Sequence, residues 1–143
     1  MNIDTKPMEI LVVEDDDIDA KGIERAMNKL KIANKLHRAK DGIEALAMLR
    51  DGSSNRLNKP YIILLDINMP RMNGLEFLAE VRADEALQDA VVFILTTSKA
   101  EEDRIAAFGL HVAGYMVKSK MEQGFLTALN LIEHYWRIVE MPV

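Results

Sequence analysis

Glu14 and Asp15, Asp66, Thr96 and Lys118 are the residues whose types and settings could do chemistry together in this chain of 143 residues. Each follows directly on a short apolar run. Ile10-Leu11-Val12-Val13 precedes the acidic pair, and Tyr61-Ile62-Ile63-Leu64-Leu65 precedes Asp66. Val91-Val92-Phe93-Ile94-Leu95 precedes Thr96, and Gly114-Tyr115-Met116-Val117 precedes Lys118. Three carboxylates within a few ångströms repel one another, which raises their pKa values unless a cation sits among them. Oxygen ligands without His or Cys select Mg2+ or a similar hard ion. One Mg2+ and the Lys118 ammonium together balance three carboxylates, so the site could accept a phosphoryl group that a bare acidic cluster would repel. The Asp66 carboxylate could then attack phosphorus as a covalent nucleophile, with Mg2+ and Lys118 offsetting charge on the transferring oxygens. Thr96 could donate a hydrogen bond to the aspartyl phosphate that results.

Taken singly, each of these residues has an ordinary structural reading. Glu14 to Asp17 could be a solvated helix N-terminus, Asp66 a turn residue, Thr96 a strand-end hydroxyl and Lys118 a surface cation. What gathers them is the order of the elements. The β-branched run Ile10 to Val13 stops at Glu14-Asp15-Asp16-Asp17, and from Ile18 the apolar period changes. Ile18, Ile23, Ala26, Met27 and Leu30 then read as one helical face, with Asp16 or Asp17 as its N-cap. Lys35 to Ala39 reads as a strand, and Asp41-Gly42 as a turn. A short helix carrying Ile43, Leu46, Ala47 and Leu49 ends at Gly52. Ser53 to Lys59 is a polar loop, Met69 to Gly74 is a second loop, and Leu75 to Arg82 returns to helix. Ala100 to Phe108 and Glu122 to Val139 read as helices around the fifth strand.

Five apolar strands, each followed by a helix, predict an α/β fold. Their continuous rather than alternating apolar character implies burial on both faces, as in a parallel sheet between helical layers. Five strands favour the flavodoxin-like doubly wound order 2-1-3-4-5, with five helices. In that order strands one and three are neighbours, and functional groups collect beyond the carboxyl ends of the strands. The three carboxylates converge there, with a hydroxyl and an ammonium across from them.

Composition narrows the function further. Lys and Arg number 18 against 23 Asp and Glu, giving a net charge of −5 and a pI near 5.2. That balance argues against a protein that holds nucleic acid by neutralising phosphates. No Gly-rich phosphate loop follows the first strand, where acids stand instead. Cysteine is absent, which excludes disulfides, thiolate nucleophiles and zinc-thiolate sites. The longest uncharged stretch, Ile105 to Val117, has 13 residues, against about 20 for a membrane-spanning helix. Met1 to Pro7 lacks the apolar run of a secretion signal. The expectation is one cytoplasmic domain with its core at about 8–139, short tails and no output domain.

The set Val13-Glu14-Asp15-Asp16, Leu65-Asp66-Ile67-Asn68-Met69-Pro70-Arg71-Met72-Asn73-Gly74, Leu95-Thr96-Thr97-Ser98 and Gly114-Tyr115-Met116-Val117-Lys118 resembles the receiver domain of two-component response regulators. The resemblance runs from about Met8 to Val139, and the Asp66 to Gly74 motif is its most specific part. It implies that Asp66 is the phosphoacceptor and that Glu14 and Asp15 hold Mg2+, with the Asn68 carbonyl as a further ligand. It implies that Lys118 contacts phosphate, that Thr96 is the switch hydroxyl and that Tyr115 is the aromatic following it. One position departs from the pattern. The family usually has Pro after this lysine, often behind a cis bond, whereas Ser119 follows Lys118 here. A non-proline cis bond costs ~3 kcal/mol, so a trans loop is expected, with Lys120 as a second basic residue nearby.

The resemblance implies a phosphorylation-dependent signalling module that takes its phosphoryl group from a sensor histidine kinase or a phosphotransfer protein. Output would pass to a downstream protein target. The Ser53 to Lys59 loop and the Tyr135-Trp136 pair are similar to those of stand-alone regulators that partner phytochrome-type kinases. The aromatic pair is either core closure or a surface for a partner or a second copy of the chain. Two other functions fit parts of the sequence. An aspartyl-nucleophile phosphohydrolase needs an acid/base carboxylate two residues after the nucleophile, and Asn68 stands there. A receiver-like binding module that does not switch by phosphorylation has Ser119 in its favour.

Overall fold

The computed structural model describes residues 8–29, 34–50, 57, 61–67, 69, 71–96 and 109–118. All five expected strands form: β1 (Glu9–Val13), β2 (Leu36–Ala39), β3 (Tyr61–Asp66), β4 (Val91–Thr96) and β5 (Gly114–Val117). They make one parallel sheet in the order β2-β1-β3-β4-β5, as the sequence predicts. Between them lie α1 (Asp17–Lys29), α2 (Gly42–Leu49) and α3 (Gly74–Ala83). The helices expected at 100–108 and 122–139 lie outside the described residues.

Side chains of the sheet divide by parity. Leu11, Val13, Ile63, Leu65, Val92 and Ile94 pack with α2 and α3 residues such as Leu46, Phe77, Leu78 and Val81. Ile10, Val12, Ile62, Leu64, Phe93 and Leu95 face the other way, toward Ile23 and Met27 of α1. Each fully buried aliphatic side chain contributes about 1.5–3 kcal/mol, so the central strands β1, β3 and β4 dominate the core. Because both faces are apolar, a one-residue slip would still bury aliphatic side chains. It would, however, draw Glu14 into the sheet and Asp66 deeper into it, where an unpaired charge is costly. The acids at the strand ends therefore help to fix the register, in which Val13 lies opposite Leu65.

Each helix starts on a polar cap. Asp16 Oδ1 accepts from the Ile18 and Asp19 amides at 2.8 and 3.1 Å, which settles the two-way choice of N-cap for α1. Asp41 accepts from the Glu44 amide at 2.9 Å, and Asn73 forms a reciprocal capping box with Glu76 ahead of α3. A cap of this kind is worth about 1 kcal/mol.

Two helical faces differ from expectation. In α1 the buried residues are Ala20, Ile23, Ala26 and Met27, whereas Ile18 is 80% exposed. At 100° per residue Ile18 stands about 140° around the helix from Ile23, so it cannot share that face. In α2 the core takes Ala45, Leu46, Met48 and Leu49, while Ile43 and Ala47 are exposed. Among the described residues no helix is long and apolar enough to cross a membrane.

Candidate functional site

The parallel order brings the carboxyl ends of β1, β3, β4 and β5 to one edge. Glu14 follows β1 with its side chain fully buried, Asp66 closes β3 at 5% exposure and Thr96 closes β4 at 0%. Asp15 is exposed beside them, and one carboxylate oxygen from each of Glu14, Asp15 and Asp66 falls within 4.8 Å of the others. Lys118, at the end of β5, reaches across β4 to join them. Its Nζ lies 2.8 Å from Glu14 Oε1, 3.2 Å from Asp66 Oδ1 and 3.0 Å from Asp19 Oδ2. With Ser119 as the next residue, Lys118 still reaches the carboxylates.

The electrostatics show a site short of positive charge. Burial pushes the Glu14 carboxyl up to about 7, with the neighbouring Asp66 adding to the rise and Lys118 opposing it. Asp66 is raised as well, chiefly by burial, with Lys118 again opposing. For Lys118 burial works against the ammonium, but Glu14, Asp19 and Asp66 outweigh it and hold the proton on. Lys118 Nζ is the one group against Glu14 Oε1 among the described residues, and it is shared with Asp19 and Asp66. A buried carboxylate oxygen served only by a shared cation is costly. An oxygen-only donor set with one such atom fits a small divalent cation, Mg2+ or Mn2+.

Among the described residues a further buried polar atom, the Thr96 hydroxyl, lacks a partner. It stands on the α2/α3 side of the sheet, two residues beyond Ile94, whose partner in β5 is Tyr115. Tyr115 is half-buried against that same cluster. The hydroxyl and the aromatic therefore share one face. Asn68, Thr97, Ser98, Ser119, Lys120, Tyr135 and Trp136 lie outside the described residues.

The loop after β3 is held tightly against α3. Gly74 N donates to the Ile67 carbonyl at 2.9 Å, and a Cβ at Gly74 would run into the Asp66 carbonyl. Only glycine permits that approach. Arg71, at φ 61°, pairs with the buried Asp41 at the start of α2, its Nε donating at 2.8 Å. Burial alone would raise the Asp41 carboxyl, but the Glu44 amide and Arg71 outweigh it and hold it below its ordinary value. On the other flank Arg38 of β2 donates to the backbone of the acidic loop. Sequence reasoning missed Asp19, Arg38 and the Asp41–Arg71 pair. Asp19 had a signal, since it lies in the first turn of the helix that the acidic run caps; the arginine contacts join distant segments and had none.

The chain matches the response regulator receiver domain model over residues 10–130. It is 35% identical to response regulator Rcp1 of Synechocystis sp. over 131 residues, covering 91% of this chain and 89% of that one. The structure of the bacteriophytochrome response regulator AtBRR is similar at a TM-score of 0.82 and 30% identity, covering 96% of this chain and all of that one. The Mn2+-bound form of response regulator Rcp1 aligns at a TM-score of 0.69 and 34% identity, over 96% of this chain and all of that one.

Proposed function

This chain belongs to the response regulator receiver domain family, and on that premise we propose that it accepts a phosphoryl group on Asp66 from a phosphohistidine donor. An Asp66 carboxylate oxygen attacks phosphorus while the P–N bond of the donor breaks. With the donor protonated on its other ring nitrogen, the products are an acyl phosphate on Asp66 and a neutral imidazole. Glu14, Asp15 and Asp66, with the Asn68 carbonyl, would hold Mg2+. Bound there, the ion would offset negative charge on the transferring oxygens. Lys118 supplies a positive charge beside the reacting carboxylate, and its pairing with Asp66 and Glu14 keeps that charge in place before the donor arrives.

The observation that carries this reading is the placing of Asp66: nearly buried, beside two further carboxylates and 3.2 Å from an ammonium. Phosphate on Asp66 would give the unpartnered Thr96 hydroxyl an acceptor. Movement of Thr96 toward it would vacate space on the face where Tyr115 lies, biasing a two-state surface at the β4–β5 edge that a protein partner reads. The likeness to a bacteriophytochrome response regulator supports a phytochrome-type histidine kinase as the donor. Asn68, two residues after the nucleophile, lacks the second carboxylate that multi-turnover phosphohydrolysis would need. The test is incubation with a small phosphodonor and Mg2+ followed by intact-mass analysis. Wild type gains one phosphate-sized adduct and Asp66→Asn gains none; an adduct that persists in Asp66→Asn overturns the assignment.

A further inference from the structure

Arg38 sits on the edge strand β2, and its guanidinium is spent almost wholly on the acidic loop of the neighbouring strand. Nε and Nη2 both donate to the Glu14 carbonyl, at 3.1 and 2.9 Å, and Nη2 also reaches the Asp15 carbonyl at 3.2 Å. Nη1 donates to Asp17 Oδ1 at 2.7 Å. The parallel ladder between β1 and β2 ends with the Glu14 amide donating to the Ala39 carbonyl at 3.0 Å. The α1 ladder begins with the Ala20 amide donating to the Asp16 carbonyl at 2.9 Å. Arg38 grips the two carbonyls left between those ladders, those of the residues whose side chains face the site.

We propose that Arg38 is the positioning residue that sets Glu14 and Asp15 for a divalent cation, acting through the loop backbone rather than through its charge. This rests on the metal-holding role given to the acids above. A planar fork fixes direction as well as distance, whereas an ammonium of equal charge fixes neither. Two adjacent ligands must hold their spacing to within about 0.5 Å for a small cation to be bound well. The geometry and the charge of Arg38 therefore pull metal affinity in opposite directions. Removing a positive charge beside an acidic cluster favours a cation by simple electrostatics. Releasing the two carbonyls lets Glu14 and Asp15 swing apart and disfavours it.

The test is Mn2+ titration of the full chain, reading free Mn2+ by electron paramagnetic resonance, for wild type, Arg38→Gln and Arg38→Lys. The expected result is a loss of affinity of about 10-fold or more in both variants, the scale typical of groups that orient metal ligands. Equal or tighter binding by Arg38→Gln overturns the proposal, because charge alone would then decide affinity. Full rescue by Arg38→Lys overturns it as well. Circular dichroism of the metal-free proteins shows whether the variants fold. Unfolding of both marks Arg38 as a requirement of the fold and sinks the positioning role. Failure of the wild type to bind Mn2+ is a different outcome, since it removes the metal site itself.

Discussion

Two cationic side chains are drawn into this molecule at opposite ends of the sheet, and they are satisfied in opposite ways. Beyond the amino ends of β4 and β5, the Arg82 guanidinium donates to four backbone carbonyls. They belong to Leu110, Gln88, Ala90 and His111, at 2.7 to 2.9 Å. Burial lowers its pKa, with Asp89 opposing, and its bonds tie the end of α3 to the segments leading into both strands. Beyond the carboxyl ends, Lys118 is shared among Glu14, Asp19 and Asp66, and among the described residues the buried Thr96 hydroxyl has no partner. One end has its cation bonded along most of its edge and the other does not. Structure accumulates where donors find acceptors; reactivity is held where the fold leaves polar atoms waiting for something that is not part of the chain.

The sharpest way to break this contrast is to remove each cation in turn and measure stability by urea denaturation. Lys118→Met leaves two buried carboxylates facing each other, so the metal-free protein should lose about 3 kcal/mol at pH 8. The loss should shrink at pH 5, where Glu14 can take up a proton, and Mg2+ should restore part of it. Arg82→Gln should lose about 2–3 kcal/mol through its stranded carbonyls, equally at both pH values and with no special response to Mg2+. Similar pH and metal responses in the two variants would erase the distinction.

A smaller effect is expected from Glu14 itself. Its carboxyl rises from 4.5 to about 7 on folding, so between those values the folded state holds a proton that the unfolded state has released. The stability of the metal-free protein should therefore fall as pH rises through that window, by at most about 1.4 kcal/mol per pH unit. Glu14→Gln should flatten this slope by the Glu14 share and be about 1–2 kcal/mol more stable than wild type at pH 8 while losing Mn2+ binding. A variant that keeps the slope would place its cause elsewhere. The smallest effect belongs to Thr96→Val. Because the hydroxyl has no partner, replacing it with a methyl should change stability by no more than about 1 kcal/mol, in the stabilising direction. A clear destabilisation would mean that the hydroxyl is bonded after all.

Much of the fold was legible because short apolar runs with abrupt polar ends leave few alternatives. Tyr61 to Asp66 could only be a strand buried on both faces, and the Asp that ends it could only emerge at the sheet edge. Helical faces were less legible. Ile18 and Ile43 match the apolar pattern of their helices, yet the small residues Ala20 and Ala45 are the ones buried. A helix close to a sheet admits alanine where a larger residue would hold it away, and hydrophobicity alone does not report that distance.

The order of residues along the chain determined the five strands, their parallel arrangement and the meeting of Glu14, Asp15, Asp66, Thr96 and Lys118 at one edge. Those features follow from local apolar periodicity and from topology, both of which are written in short stretches of sequence. Only the tertiary structure decided that Lys118 pairs with Asp19 as well as with the acids, that Arg38 grips the acidic loop and that Arg71 is tied to Asp41. The tertiary structure also decided that Arg82 is held by carbonyls from the two segments leading into β4 and β5. A long cationic side chain can reach many acceptors, and which one it takes depends on distances between segments that no local pattern encodes.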